Sequence, residues 1–286
     1  MKTFAIVGIL PSTASAGSFS LTIGGNRFSG ALAASGVNPT PIPSITPVGS
    51  PTASPSASPG VTPTPNPTPT GNPGSSQTSK YYPLHTGDIH TLAVTTGIAS
   101  PSDVGTRIGN LVTFKGKSAF RNENIGANGQ ISLVSFEDVT PGGYTAYGYE
   151  ALSPTGSVTS SGEYVPQFTI PDGILNGTAG TFSYVANVVD SGGTTMHITF
   201  EGTGTPMRTQ SVTVPAGTFN ALKVKVHLTI TGSSDGLSIV TTSDSTEYLV
   251  ENVGIVKVDS TLTSQFGSTT SASVLKSATI GEKQYP

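Results

Sequence analysis

The sequence predicts an all-β protein: a curved antiparallel sheet, half-barrel or barrel-like, following a disordered Pro/Ser/Thr-rich linker. Three observations carry this. From Lys80 onward, short runs alternate apolar and polar residues with period two, which marks a strand with one buried and one wet face. The runs recur about every 10–14 residues, giving roughly 10–12 strands. Between them sit turn formers such as Gly142-Gly143, Gly192-Gly193, Ser234-Asp235-Gly236 and Asn252-Val253-Gly254. No segment carries a long apolar stripe of helical period.

The N-terminal segment, residues 1–37, supports two readings. Lys2 precedes the apolar run from Phe4 to Leu10, and Ala14, Ser15 and Ala16 follow. That is the order of a weak secretory signal. Alternatively the run is a strand. Phe19, Leu21 and Ile23 then alternate up to Gly24-Gly25, and Arg27-Phe28 returns as a β-hairpin, the remnant of a larger β-domain.

Residues 38–79 form the linker. No charged residue lies between Arg27 and Lys80, and twelve of the 22 prolines lie between Pro39 and Pro73. Proline supplies no backbone donor for helix or sheet. The segment should be extended and polyproline-like, reaching roughly 100 Å at ~3.1 Å per residue. A passive spacer and a Ser/Thr-glycosylated stalk both suit a protein held outside the cell.

Residues 80–286 form the antiparallel β domain. Alternation appears from Ile131 to Phe136, from Phe182 to Val188 and from Met196 to Phe200. Around Tyr144 it places Ala146 and Gly148 on one face and Tyr147 and Tyr149 on the other. The cleanest run sets Leu222, Val224, Val226, Leu228 and Ile230 on one face, with Lys223, Lys225, His227 and Thr229 opposite. If the sheet curls, those five with Val256 and Val258 line its inner face and could shelter an apolar ligand.

Composition excludes several classes. The chain has 286 residues and a net charge of −3. Charged residues make up 10%, against roughly 25% in an ordinary domain. Ser and Thr number 79. Without clustered Lys and Arg, no nucleic-acid partner is expected. No apolar run approaches the ~20 residues of a transmembrane helix. The absence of cysteine removes disulfides, thiolate zinc and thiol nucleophiles.

Motifs that could carry chemistry are weak. Gly232 to Gly236 match the nucleophile-elbow string, but that motif needs a strand-to-helix turn, and here it joins two strands. His85, Asp88 and His90 fall within six residues, yet a zinc site needs three or four ordered ligands. A solvated turn is the simpler reading, with His197 and His227 on wet strand faces. Glu137, Asp138, Glu150 and Glu163 lie near aromatics. Glycosidases need two carboxylates facing each other across a cleft, and solvated strand ends explain these four. No phosphate loop is present, and no cofactor or metal is expected. The tyrosines, all nine after residue 80, suit packing at sheet edges or a half-wet binding surface.

Three phrases occur in order. They are Tyr81 to Asp88 (aromatic-x-P-L-x-x-G), Val212 to Val224 (V-P-A-G-T-F-x-x-x-K-V) and Tyr248 to Lys257 (aromatic-x-x-x-x-V-G-x-V-K). Together they resemble the DUF3108-like group of bacterial exported and envelope proteins of uncharacterised function. This chain departs from that pattern in having Tyr248 where Trp is frequent. The resemblance implies a curved antiparallel sheet and no established catalytic residue. Physically, Pro215 ends a strand, and Gly217 and Gly254 permit positive-φ turns.

The expectation is therefore a non-catalytic exported domain, extracellular, periplasmic or at the cell surface, with a lipid or other apolar ligand on its inner face. The alternative is a structural or adhesive surface module meeting envelope proteins or glycans. A hydrolase stands third.

Overall fold

A computed structural model describes residues 17–23, 26–32, 77–126, 128–193, 195–234, 237–265 and 267–286. Near the N-terminus, β1 (Gly17–Ile23) and β2 (Asn26–Leu32) pair antiparallel. The apolar run 4–10 and the linker up to residue 76 lie outside the described residues.

The remainder is a meander. A short α1 (Gln77–Tyr81) leads into β3 (Ile89–Thr96), β4 (Ser102–Phe114), β5 (Lys117–Ile125), β6 (Ile131–Thr140), β7 (Gly143–Leu152) and β8 (Val158–Pro171). One helical turn, α2 (Asp172–Leu175), precedes β9 (Gly180–Asp190), β10 (Thr195–Val214), β11 (Gly217–Ser234), β12 (Leu237–Val250), β13 (Gly254–Ser264), β14 (Gly267–Ile280) and β15 (Lys283–Tyr285). Strands β3 to β14 each pair with the next. Because β14 also pairs with β3, the sheet closes into a 12-strand antiparallel barrel, and β15 adds to β14. Closure removes the exposed sheet edges that invite aggregation.

Register follows the alternation. Leu222, Val224, Val226, Leu228 and Ile230 stand opposite Leu249, Glu247, Ser245, Ser243 and Thr241 on the inner face. Gly217 and Gly254 adopt φ of 131° and 92° where β11 and β13 begin, a region that a side chain disfavours.

The alternation around Tyr144 is broken. A register shift between Ala146 and Gly148 turns Tyr149 inward with Tyr144 and Ala146. Tyr147 instead packs with a small cluster of Phe114, Ala119, Val134 and Phe136. By register Val134 and Phe136 belong to the sheet face opposite Ser135 and Glu137. Phe114 stacks on Phe136 at 4.0 Å between ring centroids.

One end of the barrel is stoppered. The Thr78 N–H and Oγ1–H donate to Asp172 Oδ1 at 2.7 and 2.5 Å, tying α1 to α2. Tyr82 is buried against Tyr144, with ring centroids 5.1 Å apart. The Asn252 N–H donates to Lys80 O at 2.6 Å. Thr78 packs with the barrel: it is fully buried and must bond its polar groups.

Candidate functional site

The expected lining divides between two clusters. Leu222, Val224, Leu228, Ile230 and Val258 join the main interior core, with Val226 partly buried against it. Val256 does not. The pairing slips from Tyr248 opposite Lys257 to Leu249 opposite Ile255, leaving Val256 as the extra residue of a β-bulge. It packs instead with Val212, Val214, Tyr248, Val253 and Leu275.

The inner face is filled. Tyr82, Phe168, Phe182 and Ile174 press towards Val224 and Val226, leaving a cavity of ≈ 20 Å³ with Glu247 in its lining. That is room for about one water. The filling depends on missing side chains in β10. A Cβ on Gly202 would lie 2.4 Å from the Phe182 ring, and one on Gly204 would lie 2.6 Å from Ile174 Cδ1. Beyond them Tyr184 stacks on Phe200 at 4.4 Å, and Tyr149 lies so close to Gly162 that a Cβ there would be 2.3 Å from its ring.

The interior holds a fully buried carboxyl, Glu137, which sequence reading treated as solvated. It is 0% exposed. Burial pushes its carboxyl up to about 7, opposed by hydrogen bonds from Asn122 and Tyr144. The Asn122 Nδ2–H donates to Oε2 at 2.9 Å. In an alternating strand Glu137 should share one face with Ser135 and leave Phe136 on the other, and it does. Both faces of β6 are covered, so exposure could not be read from periodicity. Burial also raises the phenols of Tyr149, Tyr164 and Tyr184, and the Glu137 carboxylate adds to the rise at Tyr164.

His85, Asp88 and His90 do not converge on a metal. Asp88 and His90 are buried, which corrects the solvated-turn reading, while His85 is exposed. Asp88 Oδ1 accepts from the Gly281 N–H at 2.8 Å, and its Oδ2 lies 3.1 Å from His85 Nδ1. The His90 Nε2–H donates to Val253 O at 2.9 Å. These bonds staple the start of β3 to the turns after β14 and β12. Among the described residues no group of three or more His, Cys, Asp or Glu could hold a metal ion. The elbow-like string runs from the end of β11 towards the start of β12, a strand-to-strand connection. Glu150 and Glu163 are half-buried, while His197 and His227 are exposed, bonded to Asn187 and Asp244.

The three sequence phrases meet in space. Lys80 O holds Asn252, and His90, just beyond the first phrase, holds Val253. Val212, Val214, Ala221, Tyr248 and Val256 pack in one cluster. The Ala216 N–H donates to Leu275 O at 3.1 Å, pinning the tip of the β10–β11 hairpin. Residues 170–275 match the DUF3108-like family model. The DUF3108-like stretch contains the second and third phrases whole and covers less than half of the 286 residues.

Two solved structures are similar to the chain. One is a candidate exported protein with a YmcC-like fold from Bacteroides fragilis, 16% identical, with a TM-score of 0.43, over 70% of this chain and 99% of that one. The other is a candidate lipoprotein from Parabacteroides distasonis, 14% identical, with a TM-score of 0.42, over 70% and 98%. No curated protein matches the sequence.

Proposed function

We propose that this chain is a non-catalytic, exported β-barrel domain that works through its outer surface, as a structural or adhesive module at the cell envelope. The observation that carries this reading is the filled inner face, with its ≈ 20 Å³ of space beside Val224 and Val226. A lipid chain needs a cavity many times larger. The outer face bears Lys225, His227, Asp244, Lys257 and Asp259 on three neighbouring strands, which is chemistry for water and polar partners rather than for a lipid-facing strand. The charge-free, proline-rich linker supports an extracytoplasmic spacer. Non-catalysis is supported by the roles of the candidate groups: Asp88 and His90 tie turns together, and Glu137 lies sealed in the core.

The sheltered apolar ligand is the second reading, favoured by the strand count. Twelve strands make a wider barrel than the eight that side chains fill readily. Titration of the purified protein with an environment-sensitive apolar dye separates the two. The surface reading expects no saturable binding, and one dye bound per chain would restore the sheltered-ligand reading. Antibody labelling of intact cells of the source bacterium tests the location, since a cytoplasmic protein would stay unlabelled.

A further inference from the structure

Lys223, Tyr248 and Lys257 stand abreast on β11, β12 and β13. Both ammonium groups lie against the Tyr248 ring, at 5.8 Å for Lys223 and 5.3 Å for Lys257 from its centroid. The β10 strand has a register shift between Pro206 and Thr209. Beyond it Gln210 to Thr213 face this row across a groove of ≈ 330 Å³, whose floor includes Tyr248, Lys257 and Val274. We propose that this groove binds a small ligand bearing a carboxylate or phosphate group, seated by Lys257 over Tyr248, with Lys223 beside the same ring and outside the groove's lining.

The physical case has three parts. Two like charges gathered on one ring repel each other, and the row's one carboxylate partner is Asp259, 2.9 Å from Lys257 Nζ. Among the described residues Lys223 makes no ion pair, so an anion would give it the partner it lacks. The wall opposite includes Gln210, on the same strand face as the buried Val212, and its amide is a donor suited to an oxyanion or to sugar hydroxyls. The groove's volume matches a small-molecule site, unlike the interior crevice. It also explains why the second and third sequence phrases each end in a lysine beside valine: folding brings those lysines to opposite sides of the aromatic residue that opens the third phrase.

This inference deepens the outer-surface reading and rests on it, but the two fail separately, because dye binding tests the interior and anion titration tests the groove. The experiment is isothermal titration of the full chain with glucuronate and with inorganic phosphate, using glucose as the uncharged control. The expected result is saturable binding of one or both anions and none of glucose. Glucuronate alone points to an acidic saccharide, phosphate alone to a phosphorylated ligand, and both to general oxyanion recognition. Lys257→Gln should weaken binding by about fivefold, added salt should weaken it further, and Lys225→Gln, outside the groove, should leave it unchanged. No saturable binding of either anion, or equal binding by wild type and Lys257→Gln, would overturn the proposal.

Discussion

Replacing Glu137 by Gln should alter how stability depends on pH, and the structure sets the size of the change. The native carboxyl is held at about 7, from an ordinary value of 4.5, chiefly by burial. A folded-state value above the unfolded one means that the folded protein binds the proton more tightly. The stability this provides is complete below about pH 4.5, falls as pH rises and is gone once pH passes about 7. At 1.36 kcal/mol per pH unit the difference is roughly 3 kcal/mol. A neutral amide at position 137 carries no such dependence. Wild type and Glu137→Gln should therefore have similar stability near pH 4.5, and the variant should be the more stable at pH 8. Urea unfolding followed by far-ultraviolet circular dichroism, at intervals between pH 4.5 and 8.5, gives the difference directly. Other titrating groups act on both proteins and cancel. Parallel stability curves would show that Glu137 is hydrated or ionised in the fold, and the sealed interior would be wrong.

Four further outcomes follow from the geometry. Leu228→Ala should cost about 2–5 kcal/mol by urea unfolding, and Lys225→Ala less than about 0.5; equal losses would reverse the face assignment of β11. Gly162→Ala should destabilise by about 1–3 kcal/mol, because its Cβ would lie 2.3 Å from the Tyr149 ring, and an unchanged melting temperature would place that ring elsewhere. Gly217→Ala and Gly254→Ala should each cost about 1 kcal/mol or more, which calorimetry would detect. Limited proteolysis with a broad-specificity protease should leave a stable fragment that retains Thr78, and a fragment beginning at Leu84 or later with unchanged stability would argue against the α1 stopper.

What could be read from the sequence was what local chemistry decides. The five apolar residues of β11 point inward because one slip in register would expose all of them and bury two lysines. Pro215, Gly217 and Gly254 marked real chain reversals. Features that depend on distant pairing were hidden. Closure of β14 onto β3 joins residues about 180 positions apart, as in Ser273 opposite Val94, and leaves no local trace. Bulges hid others. The shift in β7 turned Tyr149 inward, and the one in β13 sent Val256 to the second cluster, because period-two counting carries no signal for an extra residue. Glu137 was misread because Phe114 and Ala119 cover the outer face of β6, so a carboxyl on an apparently amphipathic strand ends in the core. The Lys223–Tyr248–Lys257 row was also missed, since cross-strand neighbours appear only once register is known.

The central claim is that the barrel's inner face is filled by its own side chains and that the domain works from outside. Native mass spectrometry of the full chain, purified from its source organism without detergent, tests this most directly. The account predicts the mass of the polypeptide, with any covalent modification, and no non-covalent lipid surviving gentle activation. A stoichiometric lipid adduct released on stronger activation, and lost in a variant with Val226 replaced by Phe, would contradict it.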